Sequence, residues 1–92
     1  MSHKNLEKAR KAELKAAIKE SGLDRKTFRQ MFDLAGYGGH ELLDRSQMLS
    51  AIVDDFVMTH PSALLNPELY EQAAKASRAL AKLHEMVSDL TK

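Results

Sequence analysis

The sequence predicts an all-α fold: a small bundle of four main helices with a long C-terminal heptad helix, paired as a homodimer. Three observations carry this. Apolar residues recur every three to four positions, and strand-like alternation is absent. Glycine, proline, Asp and Asn stand where such helices would start and stop. The last segment holds a seven-residue repeat over three turns of the pattern. The chain of 92 residues reads as a single helical domain, 1–92, with helices at about 4–21, 24–35, 40–59 and 67–91.

The first helix carries Lys4, Lys8, Lys11, Lys15 and Lys19 along one face, with Leu6, Leu14, Ala17 and Ile18 on another. Gly22 closes it as a left-handed cap. Asp24 then caps a second helix, whose Phe28, Met31, Phe32 and Ala35 form an apolar stripe while Arg25, Lys26 and Arg29 point elsewhere. Gly36 ends that helix, and "GYGG" (36–39) reads as a flexible turn in which Tyr37 is a candidate contact residue. The third helix places Leu42, Leu49, Ile52, Val53 and Phe56 on one side. Asp44 followed by Gln47 resembles a capping box, so the helix is expected to restart near Arg45. Pro61 stops it, and "HPSALLN" is a tight connection of about one helical turn.

Asn66 caps the last helix, with Pro67 in its first turn, where the missing N–H costs nothing. Leu69, Ala73, Ala76, Leu80, Leu83, Val87 and Leu90 follow at alternating spacings of four and three. This is a heptad seam on a helix roughly 36 Å long. Ala79 and Met86 widen the stripe toward a bundle core, and the seam is the expected dimer contact. The predicted core comprises Leu14, Ile18, Phe28, Met31, Phe32, Leu49, Ile52, Val53, Phe56, Leu69, Leu80, Leu83 and Val87.

Charge is segregated beneath a formal net charge of +1. Residues 1–31 balance to +5, residues 32–73 to −6 and residues 74–92 to +2. Like-charge i, i+4 lysine pairs on the first helix each cost a few tenths of a kcal/mol, offset in part by Glu7 pairing with Lys11. A face held at that cost points to an anionic partner: nucleic acid, an acidic protein, or the acidic middle of this chain. The stretch "LKAAIKESGLDRKTFRQMFDLAG" has a helix-turn-helix rhythm, with Arg25, Lys26, Thr27, Arg29 and Gln30 as candidate readers.

Catalysis finds little footing. "HELLD" (40–44) puts His40 and Asp44 on one helix face with Glu41 as a would-be base, yet a metal-dependent hydrolase there needs a third ligand from His60 or His84. Asp54 and Asp55 diverge by about 100° on a helix and make no acid/base pair. The absence of cysteine excludes disulfides and thiolate zinc sites. No cofactor and no metal are expected. No run is apolar enough to span a membrane, and the N-terminus lacks a signal-peptide core, so the expected setting is cytoplasmic. The expected function is that of a non-catalytic regulatory or adaptor protein that binds a protein partner through a helical surface. The alternative is a DNA-binding regulator using Lys4, Lys8, Lys11, Lys15, Lys19, Arg25, Lys26 and Arg29.

Overall fold

A computed structural model describes residues 3–92; residues 1–2 of the expected domain lie outside the described part. Among the described residues the chain is helical, with no strand. It divides into two compact units, one ending at Phe32 and the other running Asp33–Lys92.

The first unit holds α1 (His3–Ser21) and α2 (Arg25–Phe32). Gly22 takes φ 72°, the left-handed value expected of it. The Ser21 hydroxyl donates to Ile18 O at 2.6 Å and accepts from Leu23 N at 3.1 Å, which closes the turn. Asp24 caps α2 as expected: its Oδ1 accepts from Thr27 N at 2.7 Å. That bond holds the Asp24 carboxyl below the usual carboxylate range. Glu7 has a stronger partner than the expected Lys11. It bonds Arg10 through a guanidinium fork with contacts of 2.8 and 2.5 Å, while Lys11 acts on it as a weaker coulombic neighbour. The fork gives two charge-assisted bonds where a lysine gives one, and it lowers the Glu7 pKa.

The expected extent of α2 also needs correction. The helix ends at Phe32, and Ala35 is not part of it. The Asp33 carboxylate accepts the N–H of Leu34 at 2.9 Å and Asp33 O accepts that of Gly36 at 2.9 Å, so local polar bonds replace the helical ladder. Phe28 and Phe32 nevertheless pair, with ring centroids 4.9 Å apart.

The second unit is an antiparallel helical hairpin. Its first arm, α3, runs Tyr37–Ile52 and continues as a π-helical turn over Val53–Val57. A short α4 (Pro61–Leu64) leads into the second arm, α5 (Pro67–Thr91). The expected flexible turn at 36–39 is therefore mostly helix. Gly36 is the N-cap and Tyr37, Gly38 and Gly39 open the first turn. Gly39 is buried because the backbone of Leu34 passes against it; a Cβ there would fall 2.5 Å from Leu34 C. Nor does the helix restart at Arg45: α3 runs unbroken through Asp44, and Arg45 instead bonds Glu41 at 2.9 Å one turn back.

Two contacts fix how the arms meet. The Ser46 hydroxyl lies 3.3 Å from His84 Nδ1, and Ser77 Oγ donates to an Asp54 carboxylate oxygen at 2.5 Å. Ser46 already donates to Leu43 O at 2.9 Å, so its hydroxyl accepts from His84, whose proton must sit on Nδ1. At the tip, the His60 ring works the other way: Nδ1 accepts from Ser62 N at 3.1 Å and caps α4. Asn66 Oδ1 accepts from Glu68 N and Leu69 N, both at 3.0 Å, with Pro67 at the first helical position, as the sequence predicts.

The core departs most from expectation. Among the described residues only Ala63, Ala73 and Val87 of the apolar side chains are buried, with Ser46 at 1% exposure between the arms. Leu14, Ile18, Phe28, Val53 and Leu80 are half-buried. Met31, Phe32, Leu49, Ile52, Phe56, Leu69 and Leu83 are exposed. Two helices in one layer cover only one side of each other, so the remaining apolar side faces outward.

Candidate functional site

The outward side of the hairpin is organised. On α5 the apolar positions separate into two interleaved series. Ala73, Ser77, Leu80, His84, Val87 and Thr91 face α3: Val87 is 4% exposed, Ser77 and His84 make the cross-arm bonds, and Leu80 and Thr91 are half-buried. Leu69, Gln72, Ala76, Ala79, Leu83, Met86 and Leu90 form the second series and are all exposed. Both run at spacings of three and four, so each is a straight stripe on the helix. The expected dimer seam straddles them. Its Ala73, Leu80 and Val87 turn to α3 within the chain, while Leu69, Ala76, Leu83 and Leu90 stay open.

A matching stripe lies on α3. Measured from the α3 positions that meet α5, Leu42, Leu49, Ile52 and Phe56 lie to one side by about 40–120°. The second series of α5 lies to the same side, because the arms run antiparallel. Asp54 and Ser77 meet on the opposite side. At the tip end a cavity of about 490 Å³ brings Phe56 and Val57 together with Leu69, Gln72 and Ala76 of the second series, and it also takes in Ala73 of the first, with His60, Ser62 and Ala63. The π turn shapes this end. Met58 N donates to Val53 O at 2.9 Å, one residue further than an α-helix allows, and Phe56 stands on the rim at 71% exposure. The hairpin thus presents an apolar face interrupted by Gln72 on α5 and, on α3, by Arg45 between Leu42 and Leu49.

Tyr37 is 77% exposed, though on the first turn of α3, not in a loop. The five lysines of α1 and Arg25, Lys26 and Arg29 of α2 are exposed, and none of these eight enters a salt bridge among the described residues. Charge follows the division into units: residues 1–32 balance to +5 and residues 33–92 to −4. At "HELLD", Glu41 is held by Arg45, while His60 caps α4 and His84 bonds Ser46. Among the described residues no three His, Asp or Glu side chains gather as a metal site requires, and no helix is long and apolar enough to cross a membrane.

Gln72 and the cavity lie outside the sequence-based expectation, which places Leu49, Ile52 and Phe56 of the α3 stripe in the core. Ala79 and Met86 were the available signal, because a stripe wider than a single seam on a long helix can serve two neighbours. The chain matches no protein-family model, no curated protein and no solved structure, so its own residues carry the functional reading.

Proposed function

We propose that this chain is a non-catalytic regulatory or adaptor protein of the cytoplasm, which binds a protein partner through the open face of the α3–α5 hairpin. The observation that carries the reading is the exposure of Leu42, Leu49, Ile52, Phe56, Leu69, Leu83 and Leu90 on one side of two packed helices. Apolar patches of more than a few hundred Å² mark interaction sites on soluble proteins, and an amphipathic helix pair is a ready groove for a partner's helices. The reading includes self-association: a homodimer in which the open stripe of α5 completes a four-helix bundle.

Photo-crosslinking in living cells tests it. A photoreactive phenylalanine at Leu83 or Ile52 is expected to give discrete protein adducts, whereas the same group at Asp44 gives none. Absence of protein adducts from both face positions overturns the reading.

One observation favours a second reading, DNA binding by the first unit: among the described residues none of the eight exposed cations of α1 and α2 enters a salt bridge. Random-sequence duplex DNA, followed by fluorescence anisotropy at low and moderate salt, is then expected to bind at micromolar protein and to weaken steeply as salt rises. Glutamine at Lys4, Lys8, Lys11, Lys15 and Lys19 lowers that salt slope. No binding at low salt removes the reading.

A further inference from the structure

The geometry points to a definite occupant for the open hairpin face: the same face of a second copy, turned antiparallel about a two-fold axis that crosses both helices at their middles. This rests on the reading that the face binds protein, and it specifies the partner and its register.

The first argument is level. Ser46 lies level with His84 and Asp54 with Ser77, so residues 50 and 51 lie level with 79 and 80. The open series on α5, from Leu69 to Leu90, has its middle between residues 79 and 80. Leu49 and Ile52, the central pair on α3, have theirs between 50 and 51. One axis at this height therefore serves both stripes. It sets Ala79 against Ala79 of the second copy, Ala76 against Leu83, Gln72 against Met86, Leu69 against Leu90, and Leu49 against Ile52. An isologous contact requires this kind of reciprocity.

The second argument is shape. Large and small residues are divided unequally along the open series of α5. Leu69, Gln72, Ala76 and Ala79 occupy its first half, and the cavity lies against the first three of these; Leu83, Met86 and Leu90 occupy the second. Antiparallel pairing brings the large half of one copy to the hollow half of the other. The cavity of about 490 Å³ is roughly three times the ~150 Å³ hollow that takes up one benzene. It has room for the Leu83, Met86 and Leu90 side chains of the second copy beside Phe56 and Leu69. A parallel pairing of the two α5 helices would set alanine against alanine and leucine against leucine, leaving the hollow empty.

The third argument is area. From Leu69 to Leu90 the face is about 32 Å long, and two helices packed about 9 Å apart are roughly 19 Å wide. The footprint is on the order of 600 Å² per copy, or about 1,200 Å² in total, which reaches the range of stable interfaces.

The chain has no cysteine, so introduced thiols give a clean test in the full chain. Sedimentation equilibrium of the unmodified protein is expected to give twice the 10.3 kDa chain mass. A76C and L83C are then mixed under reducing conditions and oxidised. The mixture is expected to form a disulfide-linked dimer. Each variant alone is expected not to, because like positions lie about 10 Å apart along the axis, beyond the Cα reach of a disulfide. Q72C with M86C supplies the same comparison if L83C does not fold. A dimeric mass with linkage of like positions, or with no α5–α5 linkage, overturns this register while leaving the face as a binding surface. A monomeric mass at every concentration overturns self-association altogether, and the face must then be sought with another protein.

Discussion

Gly39 gives the sharpest account of how the hairpin begins. In a helix, replacing glycine by alanine favours the folded state by about 1 kcal/mol. At Gly39 the new methyl carbon would lie 2.5 Å from Leu34 C and 2.6 Å from Leu34 Cα, both main-chain atoms that no side-chain rotation can move aside. Forcing a methyl into such a site costs about 1–3 kcal/mol, and backbone contacts this short place it toward the upper end. The net expectation for G39A is a loss of about 1–2 kcal/mol. With a urea m-value of about 1–2 kcal/mol/M for a small helical protein, the unfolding midpoint should fall by about 1 M. Far-UV circular dichroism in urea, at one fixed protein concentration because association shifts apparent stability, reads this directly. A midpoint that stays put or rises would show that helix propensity dominates and that the approach of Leu34 does not constrain the turn.

Asn66→Ala removes the acceptor for Glu68 N and Leu69 N and should cost about 1 kcal/mol, seen as a thermal midpoint lower by several degrees; an unchanged midpoint would remove the cap from the account. Asp24 should make stability depend on pH. Its folded pKa lies below the unfolded value because Thr27 N–H binds the carboxylate. The contribution is therefore present above the unfolded pKa, near 3.8, and is lost as pH falls through the lower folded value. D24N should remove that part of the acid dependence in urea titrations between pH 5 and 2.5. The two bonded histidines should show opposite tautomers in ¹⁵N NMR at pH 8: the proton on Nδ1 in His84 and on Nε2 in His60, as their partners require. Finding the same tautomer at both sites would refute one of those bonds.

How much of this structure can be read from sequence depends on whether the signal is local. Gly22, Asp24, Asn66 and Pro67 act within a few residues of themselves, and each does in the structure what its type dictates. Long periodic segments likewise mark α1 and α5 to within a residue or two. The start of α3 at Tyr37 is not legible in the sequence, because "GYGG" carries the propensities of a turn while the backbone pass by Leu34 against Gly39 is not a local signal. The capping-box pattern at Asp44 and Gln47 has the right spacing, but it sits within a helix already begun at Tyr37. The core is hard to read from sequence for a different reason. Periodicity shows that Leu49, Ile52, Phe56 and Leu83 need cover, but it does not show whether the cover comes from the same chain. Val87 and Leu83 look alike on a helical wheel of the heptad seam; only the contacts of Ser46 and Asp54 with α5 separate the side that faces α3 from the side that faces outward.

The central claim is that the face carrying Leu49 and Leu83 is a protein-binding surface. Methyl NMR of leucine-labelled full chain, with a soluble nitroxide to broaden accessible groups, tests it most directly across a protein concentration series. Leu65, 84% exposed in the connection before α5, serves as the reference. The account predicts that Leu49 and Leu83 broaden like Leu65 in dilute protein and become protected as concentration rises, while Leu65 stays accessible. Leu49 and Leu83 that broaden with Leu65 at every concentration would contradict the self-associating form of the account. If they stayed accessible when cell extract was added as well, the face would not be a protein-binding surface at all.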